Sequence, residues 1–237
     1  MRMNRISATC AAILLFGLLC LTGAALAKPN IIFVLADDIS AKDLRCYNPN
    51  GISLPTIERL AQEGVCFETA WANAVCGPSR AILQTGKYPY NQNHFENPIF
   101  SKKPMWQTHK LIGENMREAG YATGMYGKLH FLDCWENQDP SMYGFDDYCI
   151  PKWWEGYDGD HGYPEKRTKG MYAVSWFWKP GLFVNGKGIA TTASDFGPEI
   201  EFDHMRAFMK RNKDRPFFAY WATYLPHMAH EGNVPMN

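Results

Sequence analysis

The feature that most constrains this chain is a repeated exchange between two hydrophobic periods. Residues 30–36 (Asn-Ile-Ile-Phe-Val-Leu-Ala) form a continuous apolar run, read as a strand buried on both faces, as in a parallel sheet. A helical pattern follows over 53–64, with Pro55 in the first turn, Ile57, Leu60 and Ala61 on one face, and Gly64 as the stop. The alternation continues with extended structure at 65–67, a short helix at 78–85 closed by Gly86, a helix at 110–119 and a strand at 121–126. After a gap come a helix at 198–212 and a buried strand at 217–224. Strand–helix alternation of this kind predicts a mostly parallel sheet flanked by helices. Between 133 and 196 the periodicity fails amid Trp, Tyr, Gly and Pro, and that stretch is read as long loops lining a cleft.

Polar residues repeatedly follow the predicted strands. Asp37-Asp38 ends the first, Gly127-Lys128 the second, and Pro226-His227 the last. In open α/β sheets the carboxyl edge is where ligands bind, so one site assembled along one sheet edge is expected. Taken singly, each pair has a plainer reading as an ordinary turn with solvated side chains.

The ends and the cysteines set the compartment. Arg2 and Arg5 precede an apolar stretch over 11–21, and Ala25-Leu26-Ala27 supplies small residues, so residues 1–27 read as a signal peptide cleaved before Lys28. The expected location is periplasmic or extracellular, with 28–237 the folded part. Equal counts of Lys+Arg and Asp+Glu, 24 each, leave no basic field for nucleic acid. Besides Cys76, the exported part holds Cys46, Cys66, Cys134 and Cys149, which allow three disulfide pairings.

Cys76 sits in Cys76-Gly77-Pro78-Ser79-Arg80, with Leu83, Thr85 and Gly86 following. This resembles the signature of the sulfatase family, in which Cys-x-Pro-Ser/Thr-Arg directs oxidation of the cysteine to formylglycine. A second signature appears as Gly120-Tyr121-Ala122-Thr123 running to Gly127-Lys128-Leu129-His130. Residues 30–38 look like the family's first strand and its metal-binding aspartates. Gln84 departs from the first signature, which prefers an apolar residue there; Tyr126 and Leu129 fit the second loosely, and Ala229 replaces a frequent proline.

The resemblance implies an alkaline-phosphatase-like α/β fold and a sulfuric ester hydrolase. By resemblance, Asp37, Asp38 and an oxygen of the modified Cys76 hold one divalent cation, expected to be Ca²⁺. Arg80 stabilises the nucleophile's oxygens, Lys128 binds a sulfate oxygen, His130 removes a proton, and His227 binds sulfate or protonates the leaving group. In the family mechanism one hydroxyl of hydrated formylglycine attacks sulfur, and the second then expels sulfate. The implied partners are a formylglycine-generating enzyme during maturation and a sulfate ester, expected to be a sulfated carbohydrate. Family members carry an Asp-Asn metal pair and a further lysine beyond the Pro226-His227 region, and nothing follows Asn237. The expectation is therefore the N-terminal part of the catalytic domain, truncated before its metal site is complete. A formylglycine-dependent phosphonate or phosphate ester hydrolase is one alternative. An inactive fragment that only binds anions or partners is the other.

Overall fold

Six strands pair in the order β1-β6-β2-β3-β4-β5 in the computed structural model, which describes residues 28–92, 108–130, 139–151 and 177–227. They are β1 (Ile31–Leu35), β2 (Ala122–Gly127), β3 (Asp147–Pro151), β4 (Leu182–Val184), β5 (Lys187–Ile189) and β6 (Phe217–Ala222). The first four in spatial order run parallel, and β4 and β5 add an antiparallel hairpin. The helices are α1 (Pro55–Glu63), α2 (Cys76–Thr85), α3 (Ile112–Glu118) and α4 (Gly197–Arg211). All of them belong to one compact unit, Ile31–Asn237.

Both faces of the central strands are filled. One layer joins Ala81 of α2 and Leu111 to Met125, Tyr148, Ile150, Phe218 and Tyr220, with Phe33 of β1 packed against it. Phe33 lies directly opposite Tyr220 in register, and their rings stack at 5.1 Å, a cross-strand aromatic pair that pins β1 to β6. The other layer packs Met205 and Phe208 of α4 on Tyr126, Cys149, Phe217 and Ala219.

Three expectations need correction. The first concerns β1, which is not buried on both faces: it lies at the sheet margin, and Ile32 and Val34 remain 52% and 56% exposed. A continuous apolar run shows that a strand forms, but does not count how many faces are covered. The second is the long-loop reading of 133–196, which contains β3, β4, β5 and a 3-10 turn at Pro140–Tyr143. The strands are short, and the tight β4–β5 turn at Asn185-Gly186, with φ of 45° and 84°, is of the kind that joins antiparallel strands. The third is 65–67, which is irregular rather than a strand.

No disulfide joins the described cysteines Cys46, Cys66, Cys76 and Cys149. Burial pushes the Cys149 thiol well above its usual range, as suits an inert core thiol. Cys134, Trp153, Trp154 and Trp176 lie outside the described residues, as does the expected signal segment 1–27.

Candidate functional site

Because β1, β6 and β2 are parallel, their carboxyl ends share one edge of the sheet. Leu35 and Gly127 both lie opposite Ala222, so Asp37, Lys128 and Tyr224 leave the sheet side by side. Backbone bonds fix the exits. The Asp37 amide donates to the Leu225 carbonyl at 3.1 Å, and the Lys128 amide donates to the Ala222 carbonyl at 2.7 Å.

Above this edge, α2 begins at Cys76 itself. Ser79 secures the approach: its Oγ accepts from the Asn73 amide and donates to the Val75 carbonyl, each at 3.0 Å. One turn after Cys76, Arg80 points into the protein and forks. Its Nη1 donates to the Lys128 carbonyl at 3.0 Å and its Nη2 to Asp37 Oδ1 at 3.2 Å. Lys128 Nζ donates to the other oxygen, Asp37 Oδ2, at 2.5 Å. All three side chains are at most 4% exposed.

Two cations thus share one buried carboxylate, and the triad carries a surplus positive charge. Burial works against the charge on Asp37, but Arg80 and Lys128 outweigh it and hold the carboxyl below its usual range. The amino end of α2 adds a positive dipole end at the same place. The arrangement suits an anion.

Cys76 faces this charge. Its Sγ lies 3.1 Å from His130 Nδ1 and accepts from Lys128 Nζ at 3.7 Å. Burial, then Lys128 and Arg80, push the His130 pKa down to about 3, so the ring is a neutral base at physiological pH. On the outer side, His227 Nε2 sits 3.4 Å from Asp38 Oδ2, and Asp38 is largely exposed. Every residue singled out from the sequence for the site, Asp37, Asp38, Cys76, Arg80, Lys128, His130 and His227, is therefore at this edge.

The backbone is under strain here. Asp38 and His130 have φ of 59° and 33°, two of only four non-glycine residues with positive φ among those described. Gly127, at φ 84°, permits the turn between them: a Cβ there would meet the Ala222 carbonyl oxygen at 2.3 Å.

The sulfatase family model matches residues 29–235. The chain belongs to the sulfatase family.

An N-acetylglucosamine-6-O-sulfatase of Bacteroides thetaiotaomicron is 32% identical over 84% of this chain and 31% of the relative. An N-acetylgalactosamine-6-sulfatase of Canis lupus familiaris is 29% identical over 84% of this chain and 40% of its own length. Among solved structures, Ps i-CgsB in complex with k-i-k-neocarrahexaose matches with 30% identity and a TM-score of 0.69, over 85% of this chain and 46% of that one. A protein solved with its substrate D-glucosamine-2-N,6-O-disulfate gives 27% identity and a TM-score of 0.64, over 84% of this chain and 35% of that one. This sulfatase chain thus spans less than half the length of each of these relatives, and its fold is the alkaline-phosphatase-like one they share.

Asp37 and Asp38 offer the hard oxygen donors that Ca²⁺ takes, at adjacent positions on a strained turn. They fit such an ion in kind and not in number. Among the described residues no third His, Cys, Asp or Glu joins them in a metal-holding cluster, and Asp37 already accepts from two cations.

Sequence reasoning passed over two residues at this edge of the sulfatase fold. Tyr224 lies under Lys128 Nζ, 5.9 Å from ring centre to nitrogen, a cation–π support. Tyr220 is buried on β6 between Phe33 and Met125 of the neighbouring strands. Both sit in the apolar run 217–224, whose pattern marks a buried strand without distinguishing its polar tips.

Proposed function

We propose that this chain carries the nucleophile and anion-binding half of a sulfuric ester hydrolase in which Cys76, oxidised to formylglycine, is the attacking group. The observation that supports it most is the meeting of Cys76, His130, Lys128, Arg80 and Asp37 at the head of α2. When formed, formylglycine supplies one hydroxyl to attack sulfur and a second through which sulfate is released. A divalent cation held by Asp37 and Asp38 would supply Lewis acidity toward sulfate and nucleophile.

The chain's own residues do the rest. The surplus charge of Arg80 and Lys128 draws in and seats a sulfate ester, with Lys128 Nζ as the point charge nearest position 76. Neutral His130, 3.1 Å from that position, is placed to take a hydroxyl proton there. His227, whose Nε2 lies 3.4 Å from Asp38 Oδ2, would protonate the departing alcohol. The substrate is a sulfated carbohydrate, in keeping with the sugar sulfates named for the relatives. The Met1–Ala27 leader supports export, with maturation by a formylglycine-generating enzyme before or during it.

The test is turnover of an aryl sulfate and a matched aryl phosphonate by protein co-expressed with a formylglycine-generating enzyme. Faster release from the sulfate, abolished by Cys76→Ala, is the expected result. Preference for the phosphonate would make this a phosphonate hydrolase. Binding of inorganic sulfate without turnover of either would leave only an anion-binding role.

A further inference from the structure

At the end of the sheet away from Cys76 lies a polar hollow that the reaction does not use. It is a cavity of about 420 Å³ where β2 and β3 begin, lined by Tyr121, Thr123, Asp146 and Asp147 on the strand side. Arg211 at the end of α4 and Arg215 after it line the other side. Five residue steps along β2, about 17 Å, separate this end from Gly127 at the catalytic edge.

Internal bonds decide what the hollow offers. Asp147 accepts from the Tyr126 hydroxyl at 2.7 Å and from Arg211 Nη2 at 2.6 Å. Asp146 accepts from Thr123 Oγ1 at 3.3 Å and from Arg117 Nη1 at 3.4 Å. The carboxylates are therefore engaged, while the donors are not exhausted. Arg215 is braced through Nε, which donates to Asn212 Oδ1 at 2.7 Å, and its Nη1 and Nη2 edge remains. Arg211 commits Nη2 to Asp147 and keeps Nη1 and Nε. With Arg117, three guanidinium groups gather around two carboxylates, an excess of one positive charge. Cations are ordinary at the carboxyl end of a helix. Here, however, the end of α4 is already capped: the Phe208 carbonyl accepts from the amide and from Nδ2 of Asn212, at 3.1 and 2.8 Å. Two braced forks with edges left over in a concave site suit an oxyanion.

We propose that this hollow is a second anion subsite, which takes a sulfate group on a sugar. Arg211 and Arg215 bond the sulfate oxygens, and Tyr121 backs the sugar ring. The sugar rests on the sulfatase reading above; the anion chemistry does not. A polymer carrying many sulfates then has two points of attachment, one that reacts and one that holds, and linking them raises the apparent affinity without altering the reaction.

The experiment titrates the full chain, as Cys76→Ala so that nothing turns over, with galactose 6-sulfate, galactose and inorganic sulfate, followed by backbone amide NMR. Galactose 6-sulfate is expected to shift the amides of 120–123 and 211–215 saturably, and galactose to leave them still. Arg215→Ala should weaken that binding about tenfold or more, while the amides of 76–80 and 128–130 respond as before. Arg215→Lys keeps the charge without the fork and should recover only part of the loss. In formylglycine-bearing enzyme, Arg215→Ala should leave turnover of an aryl sulfate unchanged, which also shows that the variant folds. Amides of the hollow that do not move with the sugar sulfate, or that move equally in Arg215→Ala, overturn the proposal. Inorganic sulfate binding there as well as the sugar sulfate also overturns it, because the hollow is then a site for a free anion. Absence of aryl sulfate turnover in every form sinks the sulfatase reading, and the titration still decides the subsite.

Discussion

The sulfur of Cys76 and Nδ1 of His130 lie 3.1 Å apart although 54 positions separate them in the chain. Two different elements deliver them: Cys76 opens α2, and His130 follows the strained turn after β2. Arg80 ties the two together by donating from α2 to the Lys128 carbonyl. Cys76, the neutral His130 and the charges of Arg80 and Lys128 therefore form one connected cluster.

Conversion of Cys76 to formylglycine should lower the mass of its tryptic peptide by about 18 Da. Mass spectrometry after co-expression with a formylglycine-generating enzyme checks this. In converted protein, Lys128→Ala and His130→Ala should each reduce sulfate release on the order of 10²-fold or more, the scale of losing a charge stabiliser or a general base. An unmodified Cys76 alongside a converted control sulfatase would remove the basis of the proposed chemistry.

Asp37→Asn should destabilise the fold by about 3–5 kcal/mol, because it leaves the buried Arg80 and Lys128 without a counter-ion. Asp38→Asn, at a largely exposed carboxylate, should change stability by less than about 1 kcal/mol. Urea unfolding in metal-free buffer compares them. Equal midpoints would show that the triad does not hold this edge.

Stability should fall on acidification in a window set by His130. Its folded pKa, about 3, lies below the ordinary 6.5, so between those values the unfolded chain binds the extra proton. The contribution is complete above about pH 6.5 and is lost as pH drops toward 3. Asp37, held below its usual 3.8, adds a further loss lower down, in the same direction. His130→Gln should flatten the upper part of the curve, measured as unfolding midpoint against pH without metal. An unchanged slope would mean that His130 is not buried neutral.

Gly127→Ala should cost at least about 2 kcal/mol, since it combines a positive φ with a Cβ driven into the Ala222 carbonyl. Thermal unfolding measures the cost. If instead the variant is as stable as the parent, the β2 exit has another conformation open to it.

Most of the site was legible because its residues sit where strands end. Apolar runs mark β1, β2 and β6, the pairs Asp37-Asp38, Gly127-Lys128 and Pro226-His227 mark their exits, and parallel pairing brings the exits together. The helices announced themselves through Pro55, Pro78, Gly64 and Gly86. What escaped has physical reasons. β4 and β5 have three residues each, too few to show a period, and the Asn185-Gly186 signal was lost among aromatic neighbours. The place of Tyr224 under Lys128 could not be read, because it looks like part of a core strand.

The packing of α2 also sets a clock. Gly77, Pro78 and Arg80 are buried, so the folded protein presents no readable copy of the peptide around Cys76. If Cys76 is converted as proposed, a modifying enzyme that recognises those side chains must act on the chain while it is still extended, and every molecule that folds first would keep its thiol. The aldehyde-to-thiol ratio in a purified sample would then record a race between two rates during synthesis. Slowing the closure of α2 onto the sheet should raise that ratio even when the modifying enzyme is unchanged.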